Sequence, residues 1–136
     1  MDHMTSDDWG KLVLRICLGG LLLFHGVAKL KTGVDWLEDP LASYGLPAFV
    51  KYGVYLGELL APLLIILGLF ARVGALIVIV NMLFVFGLVH LGDLYSLGGS
   101  GGWKLELQGF FLFSALALLL LGAGRLGVSK PGTWLN

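Results

Sequence analysis

The chain alternates between four long apolar runs, each of about 17 to 19 residues, and short polar connections. At ~1.5 Å per helical residue, such a run is about 25 to 29 Å long, close to the ~30 Å hydrocarbon core of a bilayer. The runs are apolar on every face, whereas helices of a soluble bundle carry charged residues on their outer side. The pattern therefore predicts four transmembrane helices, over residues 12–30, 52–71, 73–91 and 105–123.

The connections predict how these spans are arranged. The second and third spans are separated only by Arg72, which requires an antiparallel hairpin. The longest connection, between the first two spans, contains Asp39 as a candidate N-cap, Pro40 at the first helical position and Gly45 as a terminator, which predicts a short interfacial helix. Residues 1–136 are therefore predicted to form one all-α domain: an integral membrane antiparallel four-helix bundle with a short interfacial helix between spans 1 and 2.

The start of the first helix has two further signals. Thr5 and Asp8 have the spacing of a capping box, which predicts that the helix begins a turn or two before the apolar run. Arg15 and His25 interrupt that run and no small-residue cleavage site follows it, so we expect a retained span rather than a signal peptide.

Composition excludes several classes of function. Charged residues make up 13% of the chain against 57% hydrophobic residues, which is about half the charge content of a typical soluble domain. The formal net charge is zero and no basic stripe is present, so nucleic acid is excluded as a partner. Cys17 is the single cysteine, which excludes an internal disulfide, a CxxC redox pair and a cysteine-rich zinc site.

The distribution of basic residues predicts the orientation. Four spans place both termini on one side of the membrane. That side carries five basic residues, against four mixed with acids on the other side. This slight positive-inside bias favours both termini in the cytoplasm, with an outer aromatic belt formed by all four tyrosines, Trp36 and Trp103.

Antiparallel threading brings several ionisable residues to one depth. Five of them fall in the predicted outer leaflet, near helix ends: His25, Lys29, Glu58, His90 and Glu106. Charged side chains within a bilayer cost free energy and usually face the interior of the bundle. We therefore predict that His25, Lys29, Glu58 and Glu106 converge in one pocket.

The same residues also fit a purely structural role. Acids near helix N-termini and bases near C-termini complement helix dipoles, and long side chains there can extend to water. The two histidines and two glutamates are also potential ligands of a metal or a b-type haem, although no dedicated spacing such as HxxxH is present, and we predict no metal. Glu58 favours a functional site, because Pro62 leaves the Glu58 carbonyl without its helical donor.

Three further residues stand out within the apolar runs. Arg15 is a cation in the opening turns of a helix, where the dipole opposes it, so an acid such as Asp8 or a lipid phosphate is expected to offset its charge. Asn81 in the third span is either an interhelical hydrogen-bonding residue or a ligand contact. Cys17 is expected to be a small packed residue.

Several short motifs together resemble the DoxX family of membrane proteins, over roughly residues 10–130. These are Leu14-Arg15 with Gly19-Gly20, Phe24-His25-Gly26-Val27-Ala28-Lys29-Leu30, Tyr44-Gly45-Leu46-Pro47, Gly57-Glu58-Leu59-Leu60-Ala61, Leu67-Gly68-Leu69-Phe70-Ala71-Arg72 and Leu121-Gly122-Ala123-Gly124-Arg125.

The resemblance implies a small four-helix protein of the bacterial inner membrane. Relatives of the family include a quinone-reducing subunit of a thiosulfate oxidoreductase, and some members resemble anchors for sulfur-transfer and oxidant-defence enzymes. The family's polar positions carry over onto Arg15, His25, Lys29, Glu58, His90 and Glu106. Unlike the four-helix vitamin K epoxide reductases, this chain has no cysteine pair, so dithiol chemistry does not carry over.

Two hypotheses of function follow. In the first, the protein is a membrane subunit of a quinone- or sulfur-linked redox system, and a small quinone-like ligand binds in an outer-leaflet pocket. Glu58, His25 and Lys29 are its candidate catalytic residues, where Lys29 or His25 polarises a carbonyl and Glu58 or Glu106 exchanges a proton. The candidate ligand-binding residues are Arg15, Asn81, His90 and Glu106.

In the second hypothesis, the protein is a non-enzymatic anchor or assembly factor. Its polar cluster is then structural or docks a soluble or membrane redox enzyme. Both hypotheses require membrane lipid around the bundle, and both allow self-association.

Overall fold

The first helix begins at the predicted capping box. In the computed structural model, which describes residues 3–136, helix α1 runs over Ser6–Thr32. The Thr5 hydroxyl accepts a hydrogen bond from the Asp8 amide at 3.3 Å, and the Asp8 carboxylate accepts one from the Thr5 amide at 3.0 Å. The capping box is therefore confirmed, and it extends the helix to about 40 Å, longer than the apolar run alone.

The predicted interfacial helix is present, with a different start. A 3-10 turn over Asp35–Leu37 runs directly into helix α2, Glu38–Ser43. Asp39 therefore lies in the first turn of α2, and its predicted role as N-cap is wrong. Gly45 follows the helix with a φ of 71°, as predicted for a terminating glycine. Leu37 and Leu41 anchor α2 in a small core with Val34 and Val54.

The second span is an irregular helix. It extends over Ala48–Leu67, here called α3. It contains a 3-10 turn at Ala48–Tyr52, a π turn at Leu56–Leu60 and a regular α-helical segment at Ala61–Leu67. Pro62 follows the π turn and has no amide hydrogen to offer the Glu58 carbonyl. π turns of this kind often occur at functional sites.

Close contact with α1 accompanies the π turn. A Cβ atom added to Gly26 would collide with the Glu58 carbonyl, and one added to Gly19 would collide with Ile66 and lie 2.9 Å from the Pro62 carbonyl oxygen. The two glycines therefore allow the backbones of α1 and α3 to approach each other.

Two further long helices complete the bundle. Gly68, in the left-handed region at a φ of 64°, ends α3, and helix α4 then runs over Ala71–Leu88. Helix α5 covers Glu106–Leu121. α4 packs against α3 and α5, and α1 packs against α3 and α5, around a core that includes Leu22, Ile65 and Leu118. The predicted all-α antiparallel four-helix bundle is confirmed.

The outer surface of the bundle is apolar. Phe24, Phe110 and Leu120 each expose about three quarters of their surface, a degree of exposure that large apolar side chains of a soluble domain rarely show. Cys17 of α1 is also exposed, so the expectation that it is a packed residue is wrong: its side of the helix faces away from the bundle. Helices α1, α3 and α4 are long and apolar enough to cross a membrane, and α5 is an apolar helix of 16 residues, about 24 Å long. These features identify a multi-pass membrane protein.

Candidate ligand pocket

A partly buried ion pair joins α1 to α3. The Lys29 ammonium lies 2.5 Å from the Glu58 carboxylate, and the two side chains are 21% and 4% exposed. Lys29 stands in the last turn of α1, and Glu58 stands in the π turn of α3. The Tyr55 hydroxyl donates a hydrogen bond to the Lys29 carbonyl at 3.1 Å, which fixes the end of α1 against α3.

A cavity of about 170 Å³ lies against this pair. We call it the head pocket. Its polar wall consists of His25, Lys29, Glu58, His90 and Gln108, and its apolar wall consists of Leu22, Trp36, Leu37, Val54, Met82, Val85, Leu107 and Phe111. A dry cavity of ~150 Å³ holds a benzene molecule, so the head pocket has room for at least one ring, and its mouth beside the exposed His25 is open to a second, fused ring.

His25 lies at the rim of the head pocket. Its ring meets Phe111 of α5 edge-on, with ring centroids 5.6 Å apart and an interplanar angle of 83°. The side chain is exposed, unlike that of Glu58. His25 can therefore contact a ligand at the mouth of the pocket, between α1 and α5.

His90 enters the head pocket with a carboxylate behind it. Its Nδ1 lies 3.4 Å from the Asp93 carboxylate, whose other oxygen is 2.9 Å from the Lys104 ammonium. Lys104, and secondarily His90, hold the pKa of Asp93 below its ordinary value of 3.8 by hydrogen bonding. A carboxylate at Nδ1 favours the tautomer with its proton there, so Nε2 is the nitrogen left to accept a hydrogen bond.

Glu106 does not join the pocket, and the prediction that it converges with the other three residues is wrong. α5 begins at Glu106, whose exposed side chain folds back over Gly102 of the preceding loop. As the first residue of the helix, Glu106 is directed toward the loop. Gln108, half a turn further on, supplies the polar side chain from α5.

Arg15 lies at the opposite end of the bundle, only 1% exposed, where its guanidinium donates to four backbone carbonyls. Two belong to the last turn of α3 and two to the segment after α5: Ile65 at 2.9 Å, Ile66 at 2.8 Å, Ala123 at 3.0 Å and Leu126. The expectation that Asp8 or a lipid phosphate offsets this cation is wrong, because helix C-terminal carbonyls carry the partial negative charge that does so. Arg15 therefore fastens three helices together.

Asn81 lies beside the head pocket rather than in it. Its side chain packs against Gly57, where an added Cβ atom would collide with it. It lines a second cavity of about 420 Å³ between α3 and α4. Within residues 3–136, its amide nitrogen is buried and has no hydrogen-bond partner.

Two residues of the head pocket were missed by the sequence analysis. Gln108 is uncharged, so the pattern of ionisable residues does not include it. A polar amide near the start of an apolar span nevertheless indicates a position that faces the interior of the bundle. The sequence predicts that Trp36 belongs to the aromatic belt, whereas the structure places it in the wall of the head pocket. Among the described residues, no group of three His, Cys, Asp or Glu side chains is placed to hold a metal.

The fold and the head pocket define a multi-pass, all-α membrane protein in which a partly buried ion pair faces a small cavity. The DoxX family model matches residues 10–91, which include Lys29, Glu58 and His90. The chain therefore belongs to the DoxX family.

Two relatives match most of the chain. One is "Putative oxidoreductase CatD" of Bacillus subtilis (strain 168), 28% identical over 118 residues, which covers 87% of this chain and 83% of the relative. The other, from Haemophilus influenzae, bears the description "Uncharacterized protein". It is 31% identical over 120 residues, which covers 82% of this chain and 81% of the relative. No solved structure is significantly similar.

Proposed function

We propose that this protein is the membrane subunit of a redox system and that it binds a small quinone-like substrate in the head pocket. The observation that carries the proposal is the partly buried Lys29–Glu58 pair, which faces a cavity large enough for an aromatic ring. The similarity to a protein named "Putative oxidoreductase CatD" supports the redox assignment.

The wall of the head pocket suits an oxygen-bearing ring. Lys29 and Gln108 offer hydrogen-bond donors for a carbonyl oxygen, while Trp36, Met82 and Phe111 offer apolar contact to the ring. When a ligand oxygen accepts a hydrogen bond from Lys29, the Glu58 carboxylate is positioned to exchange a proton.

Reduction of a quinone to a quinol takes up two electrons and two protons. Glu58 and His90 are the wall residues suited to pass protons. The chain's single cysteine, Cys17, is exposed and outside the pocket wall, so the electrons are supplied by a partner redox enzyme, soluble or in the membrane. A pure anchor for such an enzyme has no need of a ligand in the pocket, and ligand binding therefore separates the two functions.

The test is binding of menadione, a naphthoquinone without a tail, to the full-length protein in nanodiscs. Quenching of Trp36 fluorescence reports occupancy, and Trp36→Phe identifies that signal. We expect Glu58→Gln to weaken binding by about tenfold or more, since the Glu58 carboxylate holds in place the Lys29 ammonium that donates to the quinone oxygen. Glu106→Gln, an acid at the same end but outside the pocket, is the matched control. Absence of binding in the wild type, or equal effects of both variants, contradicts the proposal and leaves the anchor function.

For the location we propose the bacterial inner membrane, with both termini in the cytoplasm and the head pocket in the outer leaflet. The distribution of basic residues supports this orientation. In a Cys17→Ala background, Ser43→Cys is expected to react with an impermeant reagent in intact cells, and Thr133→Cys is expected to be protected. The reverse labelling pattern contradicts the orientation.

A further inference from the structure

We infer that the ligand of the head pocket carries one long apolar tail, which lies in a lateral groove between α3 and α4. The inference rests on the proposed function, because it names the class of ligand for the same site. The groove is the cavity of about 420 Å³, and its wall is almost entirely hydrocarbon, including Leu56, Ile77, Val80 and Phe84.

The groove and the head pocket are adjacent. Leu37, Val54 and Val85 line both cavities, so the two cavities share an apolar wall. A tail that passes over them desolvates no charged group. One ligand can therefore fill both cavities, with a compact head beside Lys29 and Glu58 and a tail beyond Val85.

Asn81 marks the junction of the two cavities. It lies one helical turn before Val85 and packs against Gly57, the neighbour of Glu58. Its amide nitrogen is buried in the groove wall and has no hydrogen-bond partner within residues 3–136. Buried donors are normally paired, and rotation of the Asn81 side chain toward the groove would pair this amide with a ligand oxygen on the groove side of the head.

The groove admits hydrocarbon from the side. Leu56 and Val80 are more than half exposed on the outer surface, where lipid surrounds the bundle. Among the described residues that line the groove, the one cation is Lys51, which is already bonded to Asp35 at 2.7 Å and to Glu38. The groove therefore offers no free charge for an ionic headgroup, and a prenyl or acyl tail suits it.

The test compares ligands with and without a tail, by Trp36 quenching of the full-length protein in nanodiscs. Menadione supplies the head alone, and menaquinone supplies the same head with a prenyl tail. Oleic acid supplies an acyl tail and is added as its dibrominated derivative, so that it quenches tryptophan. Val80→Phe fills the groove. Leu83→Phe is the matched control, because Val80 and Leu83 share α4 and are 58% and 55% exposed, but only Val80 lines the groove.

We expect Val80→Phe to weaken menaquinone binding by about tenfold while menadione binding stays within about twofold. Leu83→Phe should change neither. Binding of oleic acid that depends on Val80, without binding of menaquinone, supports the groove and assigns it an acyl chain.

Equal weakening of menadione and menaquinone, or no effect of Val80→Phe, overturns the inference while the proposed function stands. Tail-dependent binding that is indifferent to Glu58→Gln supports the groove and contradicts the proposed function. Failure of both menaquinone and oleic acid to bind overturns the groove.

Discussion

Two cations on α1, about four turns apart, differ in how the fold satisfies them: Arg15 is buried and Lys29 is partly buried. Arg15 donates to four backbone carbonyls, so its hydrogen-bonding capacity is largely used by the protein itself. Lys29 has one carboxylate partner, Glu58, and faces a cavity. A cation that the fold satisfies on all sides has a structural role, whereas one that keeps an open side beside a cavity can bind a ligand.

Removal of Arg15 should have the largest effect on stability. Arg15→Leu leaves helix C-terminal carbonyls buried without donors, so we expect a loss of about 3 to 5 kcal/mol in the free energy of unfolding. Arg15→Lys should recover only part of it, because an ammonium lacks the planar fork of donors. Thermal unfolding of the detergent-purified protein measures both. Wild-type stability in Arg15→Leu would contradict the structural role.

The approach of α1 to the π turn gives the next largest effect. Gly26→Ala places a methyl group against the Glu58 carbonyl, and neither helix backbone can easily move to make room for it. We therefore expect a loss of about 2 kcal/mol in the free energy of unfolding and weaker menadione binding. The control is Gly20→Ala, where an added Cβ atom meets no heavy atom within 4 Å among the described residues. It should change stability by less than about 1 kcal/mol. Equal effects at both glycines would mean that the contact with Glu58 is unimportant.

The sequence predicts the helices and part of the head pocket, but it does not predict the π turn or the contacts of Arg15. The apolar runs predict the helices, and antiparallel threading brings Lys29, Glu58 and His90 to one cavity, because both depend on position along the chain. The π turn and the carbonyl cradle of Arg15 depend on tertiary packing, which local pattern does not encode. The prediction for Glu106 is wrong because a shift of one residue in the start of α5 decides whether the Glu106 side chain faces the loop or the bundle.

Substitution of Asn81 should separate stability from binding. Asn81→Leu removes a buried donor that lacks a partner, so we expect the free energy of unfolding to rise by about 1 kcal/mol. The same change should weaken menaquinone binding, because the ligand oxygen loses its donor. A fall in stability with unchanged binding would indicate instead that the amide serves helix packing.

The smallest expected effect concerns the loop that orients His90. The pKa of Asp93 is lowered in the folded protein, so its ion pairs contribute stability that is complete above pH 3.8 and is lost as the pH falls through the folded-state pKa. Asp93→Asn should therefore lower the melting temperature slightly at neutral pH and should flatten its dependence on pH in the acid range. An unchanged acid dependence would show that Asp93 contributes nothing through this pair.

The measurement that tests the central claim most directly is a double-mutant cycle at Lys29 and Glu58, with thermal stability and menadione binding measured on each protein. Glu58→Gln alone should lose binding and up to about 3 kcal/mol of stability, because it leaves the partly exposed Lys29 ammonium unpaired. Glu58→Gln combined with Lys29→Met should recover stability but not binding, as a ligand-binding pair requires. Recovery of both in the double variant, or full binding in Glu58→Gln alone, would contradict the account and make this pair as structural as Arg15.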